Sequence, residues 1–130
     1  MIQCLNPKMN SLDKAAELKR RTKSFAIRIV NLFRSLPRSP DAHTLGKQLL
    51  RSGTSVAANY RAVCRARSQA EFISKMGIVV EEADETVFWL ELLGETGIVR
   101  LERTQNLLNE ANELVAIFGA SLRTSKRGVQ

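Results

Sequence analysis

The sequence predicts an all-α chain folded as an antiparallel, up-down-up-down four-helix bundle. Three observations lead there. The three prolines, Pro7, Pro37 and Pro40, all lie in the first third, so ninety consecutive residues carry none. Apolar residues recur at three- and four-residue spacing in four separate stretches, the signature of helices with one buried side. The connections between those stretches are short, which favours antiparallel neighbours. No strand alternation and no internal repeat compete with this pattern. At 130 residues and 44% hydrophobic content the chain makes one domain, residues 1–130. A chain of that size can bury a core without metal or disulfide support.

Helix 1 is expected over about 12–36, with Phe25, Ile29, Leu32 and Leu36 on its buried stripe; residues 1–11 are expected to form a loose tail. Pro37 and Pro40 end it, because proline disfavours helix in the residue before it and breaks the hydrogen-bond ladder. Ser39 then reads as an N-cap, with Pro40 in the first helical position and Asp41 in the first turn. Helix 2 follows over about 40–66, with Leu45, Leu49, Val56, Tyr60 and Val63 facing the core. Its middle, Ser52-Gly53-Thr54-Ser55, is a run of poor helix formers that packing must override. Small side chains there allow a neighbouring helix to come close.

Ser68-Gln69-Ala70-Glu71 is a capping box that starts helix 3, about 69–96. Phe72, Met76, Val79, Ala83, Leu90 and Leu93 keep helical spacing along its length, with Thr86 the one residue out of type. Gly97 is the C-terminal stop. Helix 4 is expected over about 101–122, with Leu101, Leu108, Ala111, Leu114, Val115 and Phe118 as its core stripe and 123–130 as a loose basic tail.

Composition removes whole classes of function. The chain has two cysteines, Cys4 and Cys64, and one histidine, His43. There is no C-x-x-C pair, so a structural zinc is not expected. No acidic residue stands three or four positions after the histidine to build a bundle-type carboxylate–histidine metal site. No apolar run reaches the ~20 residues needed to span a bilayer, and no signal-peptide pattern opens the chain. A cytoplasmic protein with no membrane partner, metal or cofactor is expected. Glu82 and Glu85 form an E-x-x-E pair, but a solvated or ion-paired helix face explains them better than acid–base catalysis. Ser52, Thr54 and Ser55 have no histidine nearby to activate them, and no glycine-rich phosphate loop exists. No catalytic residue is assigned.

The net charge of +7 is unevenly spread. Residues 1–67 hold 14 Lys/Arg and 3 Asp/Glu, whereas residues 68–130 hold 6 and 10. The basic half predicts a polyanionic partner, RNA or DNA. On helix 2, Lys47, Arg51, Arg61 and Arg65 fall within about 80° of one another, opposite the core stripe. Helix 1 adds Arg21 and Arg28, seven residues apart, with Lys14, Arg20, Lys23 and Arg34. No aromatic interleaves these cations, so contact with the phosphate backbone is expected, without base stacking.

Around Val87-Phe88-Trp89-Leu90-Glu91-Leu92-Leu93, helix 3 is apolar on nearly every side. A surface helix of a monomer needs only one apolar stripe. Self-association is therefore expected, with Glu82, Glu85, Phe88, Trp89 and Leu92 at the contact. The acidic flank could instead pair with cations of a neighbouring copy. That alternative makes the protein an interaction scaffold without nucleic-acid binding.

The stretch Arg51-Ser52-Gly53-Thr54-Ser55-Val56-Ala57-Ala58-Asn59 resembles the R-S-x-x-S-I/V-x-A-N signature of bacterial large-subunit rRNA intervening-sequence proteins. Arg67 to Phe72 resembles that family's S-x-x-E-F helix start, and Glu82 to Leu93 its E-A-x-E…W-L-x-L-L segment, in the same order. One departure is visible: Ala62 stands where many members carry Glu, three residues after the signature Asn. The resemblance implies a four-helix bundle assembled as a ring, typically a homopentamer, without catalysis. A related branch is the accessory protein of diversity-generating retroelements, which binds nucleic acid and a reverse transcriptase. It further implies structural roles for Ser52, Ser55 and Asn59 at the edge of the core, where a buried amide must find partners.

Overall fold

A computed structural model describes residues 10–128. Four helices follow one another: α1 (Ser11–Arg34), α2 (Pro40–Cys64), α3 (Gln69–Glu95) and α4 (Leu101–Arg127). Among the described residues there is no strand. α2 packs on both α1 and α3, and α4 packs on α3 and more sparingly on α1. α1 and α3 are thus one diagonal of the bundle. At 1.5 Å per residue the helices are about 36–40 Å long.

The starts follow the chemistry of the termini. Asn10 accepts a hydrogen bond from the Asp13 N–H, Ser39 from Ala42 and Ser68 from Glu71. Each satisfies a backbone donor that the first helical turn leaves open. Between α3 and α4, Gly97 takes φ +77°, a left-handed conformation that glycine adopts without cost. The turn brings Val99 back onto the core, its N–H donating to the Leu93 carbonyl.

One core runs through the bundle, built on Phe25, Ile29, Leu49, Val56, Leu90, Leu93, Leu114 and Phe118. α1 and α2 meet at Gly53, where a Cβ would sit 2.9 Å from Ile29. The small residue in the poor-helix run of α2 is therefore a point where the two helices come close. Three threonines join this core. Thr22 donates to the Leu18 carbonyl and Thr104 to the Leu101 carbonyl. Thr86 Oγ1 lies 2.7 Å from the Glu82 carbonyl oxygen and 3.0 Å from Ser52 Oγ, which ties α3 to α2.

Two sequence expectations need correction. α4 does not stop near 122 but continues to Arg127. Nothing in Arg123-Thr-Ser-Lys-Arg breaks a helix, and Lys126 and Arg127 in the last turn suit the negative end of its dipole. The side chain of Gln69 also donates to the Ser125 carbonyl. The α4 core stripe holds at Ala111, Leu114 and Phe118 but is rotated from the expected one: Thr104, Leu107 and Ile117 are also buried, Leu108 and Val115 are half-buried, and Leu101 is 58% exposed. The first apolar residue of the helix misled the phase. Residues 10 and 11 belong to the α1 start; the rest of the expected N-terminal tail lies outside the described residues.

Candidate nucleic-acid interface

Antiparallel topology brings the N-terminal half of α1, the C-terminal end of α2 and the first turns of α3 to the same end of the bundle. A long open groove of about 1230 Å³ runs among them. Ala16, Ala57, Ala58 and Ala62 form its floor with Thr54. Cations line its sides: Lys19, Arg20 and Lys23 from α1, Arg61 and Arg65 from the end of α2, Arg67 from the connection, and Lys75 from α3. Six of these seven are exposed and Lys75 is half-buried. Glu71 is the one acidic residue lining the groove. Arg20 pairs with Glu17 at 2.5 Å one turn away, which offsets part of its charge.

The helix 2 stripe drawn from the sequence divides at this groove. Arg61 and Arg65 belong to it; Lys47, exposed nearer the start of α2, does not. Arg51 is committed elsewhere: its guanidinium pairs with Glu82 at 3.2 Å and with Glu85, both on the adjacent α3. Arg51 is thus a bridge between α2 and α3, a correction to its assignment as a phosphate contact. Arg21 needs the same correction. Its side chain, 12% exposed, makes ion pairs with Glu110 at 2.7 Å and Glu113 at 3.2 Å on α4. Position 21 turns toward the α1–α4 seam, where α4 supplies acids, and away from solvent. Arg28 is exposed but stands outside the groove.

The acidic flank of α3 is likewise occupied within the chain. Glu85 accepts a hydrogen bond from the Trp89 indole N–H at 3.1 Å and pairs with Arg51. The indole N–H first, and Arg51 next, hold the Glu85 carboxyl below its ordinary range. Trp89 is half-buried and packs against the subunit's own core. Its ring meets Phe88 edge-on at 4.9 Å, and Phe88, 52% exposed, is the aromatic left facing outward. The expected contact flank of Glu82, Glu85 and Trp89 is therefore tied into its own bundle, while Leu92 is half-buried.

Ser52 is buried and bonded as described. Asn59 donates to the Ser55 carbonyl at 2.9 Å, a bond inside α2, so it does not reach a neighbouring helix. Tyr60 packs against Phe118 at 5.0 Å. Burial, with Cys64 beside it, pushes the Tyr60 hydroxyl well above the usual phenol range. Among the described residues no group of His, Cys, Asp or Glu is placed to hold a metal ion, and no helix is long and apolar enough to cross a membrane.

Sequence reasoning missed Lys19, Arg67 and Lys75. Lys75 lies in the acidic half of the chain and was lost in that arithmetic. The available signal was topological: an antiparallel bundle places 19–23, 61–67 and 71–75 at one end.

A four-helix bundle with a cation-lined groove at one end defines a class of small helical proteins with one strongly basic end. Residues 14–120 match the family described as 23S rRNA-intervening sequence protein, and this chain belongs to that family. A solved structure from Bacteroides thetaiotaomicron, described as a protein with unknown function from the S23 ribosomal protein family, is 38% identical to the chain. It superposes with a TM-score of 0.75, over 80% of this chain and 96% of that one. No curated protein matches the chain.

Proposed function

We propose that the protein is a non-enzymatic, homo-oligomeric bundle that binds the phosphate backbone of RNA or DNA in the basic groove. One observation carries this reading: seven cations from three helices and their connections surround one groove that holds a single acid. Like charges gathered this way repel one another and weaken the folded chain. A polyanion relieves that repulsion and releases its own counterions. The floor is alanine and threonine, with no aromatic, so the groove offers no platform for stacking bases. Binding is then read from phosphates and has little sequence preference.

Fluorescence-anisotropy titration of labelled RNA at several salt concentrations tests the reading. Occupation of the groove by about four to six phosphates gives a slope of log K against log salt of roughly −3 to −5. Absent binding at about 50 mM salt, or binding indifferent to salt, contradicts it.

A second reading, an interaction scaffold for a protein partner such as a reverse transcriptase, draws on the exposed Phe88 of α3. Its original charge logic, in which α2 cations meet Glu82 and Glu85 of another copy, loses Arg51, which meets those acids in its own chain. The scaffold reading requires no RNA affinity, so the same titration separates the two.

A further inference from the structure

The reading of the basic groove leaves open which form of polyanion it takes, and this inference deepens that reading and rests on it. α2 packs on both α1 and α3, which lie across the bundle diagonal, so α1 and α3 stand on opposite sides of α2. The groove's cations fall on both of those sides. Lys19 and Lys23 form one margin on α1, and Arg67 with Lys75 forms the other, just before and within the first turns of α3. Arg61 and Arg65 lie on α2 between them. Glu71, on the α3 margin, is the groove's one acid.

Neighbouring helix axes pack about 8–10 Å apart, which puts the two flanking helices about 11–14 Å from each other across a roughly square bundle. Lys19 and Lys23 are one turn apart, about 6 Å along their helix. That span covers about two nucleotide steps of roughly 3.4 Å on one strand.

A single strand has one row of phosphates. To meet both margins it must turn across the floor, and its unpaired bases then need a surface to stack on. The floor of alanines and Thr54 supplies no ring for them. A duplex stacks its bases internally and holds two rows of phosphates at a fixed separation. The wide groove between those rows is ~12 Å across in B-form DNA, and A-form RNA has a wide, shallow minor groove. A duplex also carries one charge per ~1.7 Å of its axis, twice the density of one strand.

We propose that the ligand of the groove is a base-paired duplex, seated with a wide groove over α2, one strand on the Lys19–Lys23 margin and the other on the Arg67–Lys75 margin. The small side chains of α2 keep the floor below the cations, so the phosphates meet the margins first.

Anisotropy titrations compare three labelled probes with equal numbers of phosphates: an RNA duplex, a DNA duplex and an unpaired oligouridine strand. At least one duplex is expected to bind about tenfold tighter than oligouridine at the same salt, with a steeper salt slope. Lys23→Glu and Arg67→Glu each reverse one exposed cation, on opposite margins, and circular dichroism checks that both variants keep their helices. Each is expected to weaken the duplex about fivefold and to make its salt slope shallower by about 1, because each strand is held on its own side. Oligouridine binding as tightly as the duplexes overturns the inference and leaves the groove reading standing. Duplex affinity that falls in only one of the two variants, or in neither, overturns the two-strand seat. No binding by any probe removes the groove reading itself, and this inference with it.

Discussion

Arg21 of α1 grips Glu110 of α4 through two hydrogen bonds, at 3.1 and 2.7 Å, across the seam where the bundle is most sparsely packed. Both side chains are largely shielded, at 12% and 19% exposure, so the pair lies between surface and buried regimes. Arg21→Ala should cost about 2 kcal/mol and loosen α1 first. Urea denaturation measures the cost, and hydrogen exchange should show lost protection concentrated in α1 and α4.

Gly53→Ala places a Cβ 2.9 Å from Ile29, a fully buried branched side chain that has little room to yield. Overpacking there should destabilise by about 1–3 kcal/mol, despite alanine's better helix propensity. A thermal melt with a lowered midpoint checks it.

Gly77→Ala is the matching contrast. Open space surrounds that position within the subunit, so alanine should stabilise the isolated bundle by about 0.5–1 kcal/mol. A thermal melt with a raised midpoint checks it.

Acid should act on the α2–α3 bridge through Glu85. Its carboxyl is depressed below the ordinary 4.5 by the Trp89 indole and by Arg51. A depressed carboxylate contributes stability above its unfolded pKa and loses it as pH falls through the folded value. The chain has a single tryptophan, so fluorescence follows this site alone. Emission should change below about pH 4.5, and Glu85→Gln should remove that step.

The fold was legible because the starts of α2 and α3 and the end of α3 carry chemical marks: Ser39 with Pro40, Ser68 with Glu71, Gly97. Core positions on α1 to α3 followed from apolar spacing. What escaped were Thr22 and Thr104, polar by type yet buried because each hydroxyl bonds a carbonyl of its own helix, as does Thr86, which stood on the expected stripe. The site was half legible. Periodicity placed Arg51 and Arg61 on one outward stripe, but a single helix carries no information about what its neighbour offers. α3 brings Glu82 and Glu85 to Arg51, while α1 brings more cations to Arg61. The same blindness hid the acids that α4 presents to Arg21.

The most direct test compares two charge reversals of equal size. Arg61→Glu with Arg65→Glu places two acids in the groove, whereas Arg28→Glu with Lys47→Glu makes the same net change outside it. Anisotropy titration of labelled RNA at fixed low salt should show affinity falling at least tenfold further for the groove pair, with a shallower salt slope. Equal losses for the two pairs would mean that net charge alone drives binding and would contradict a groove-centred site.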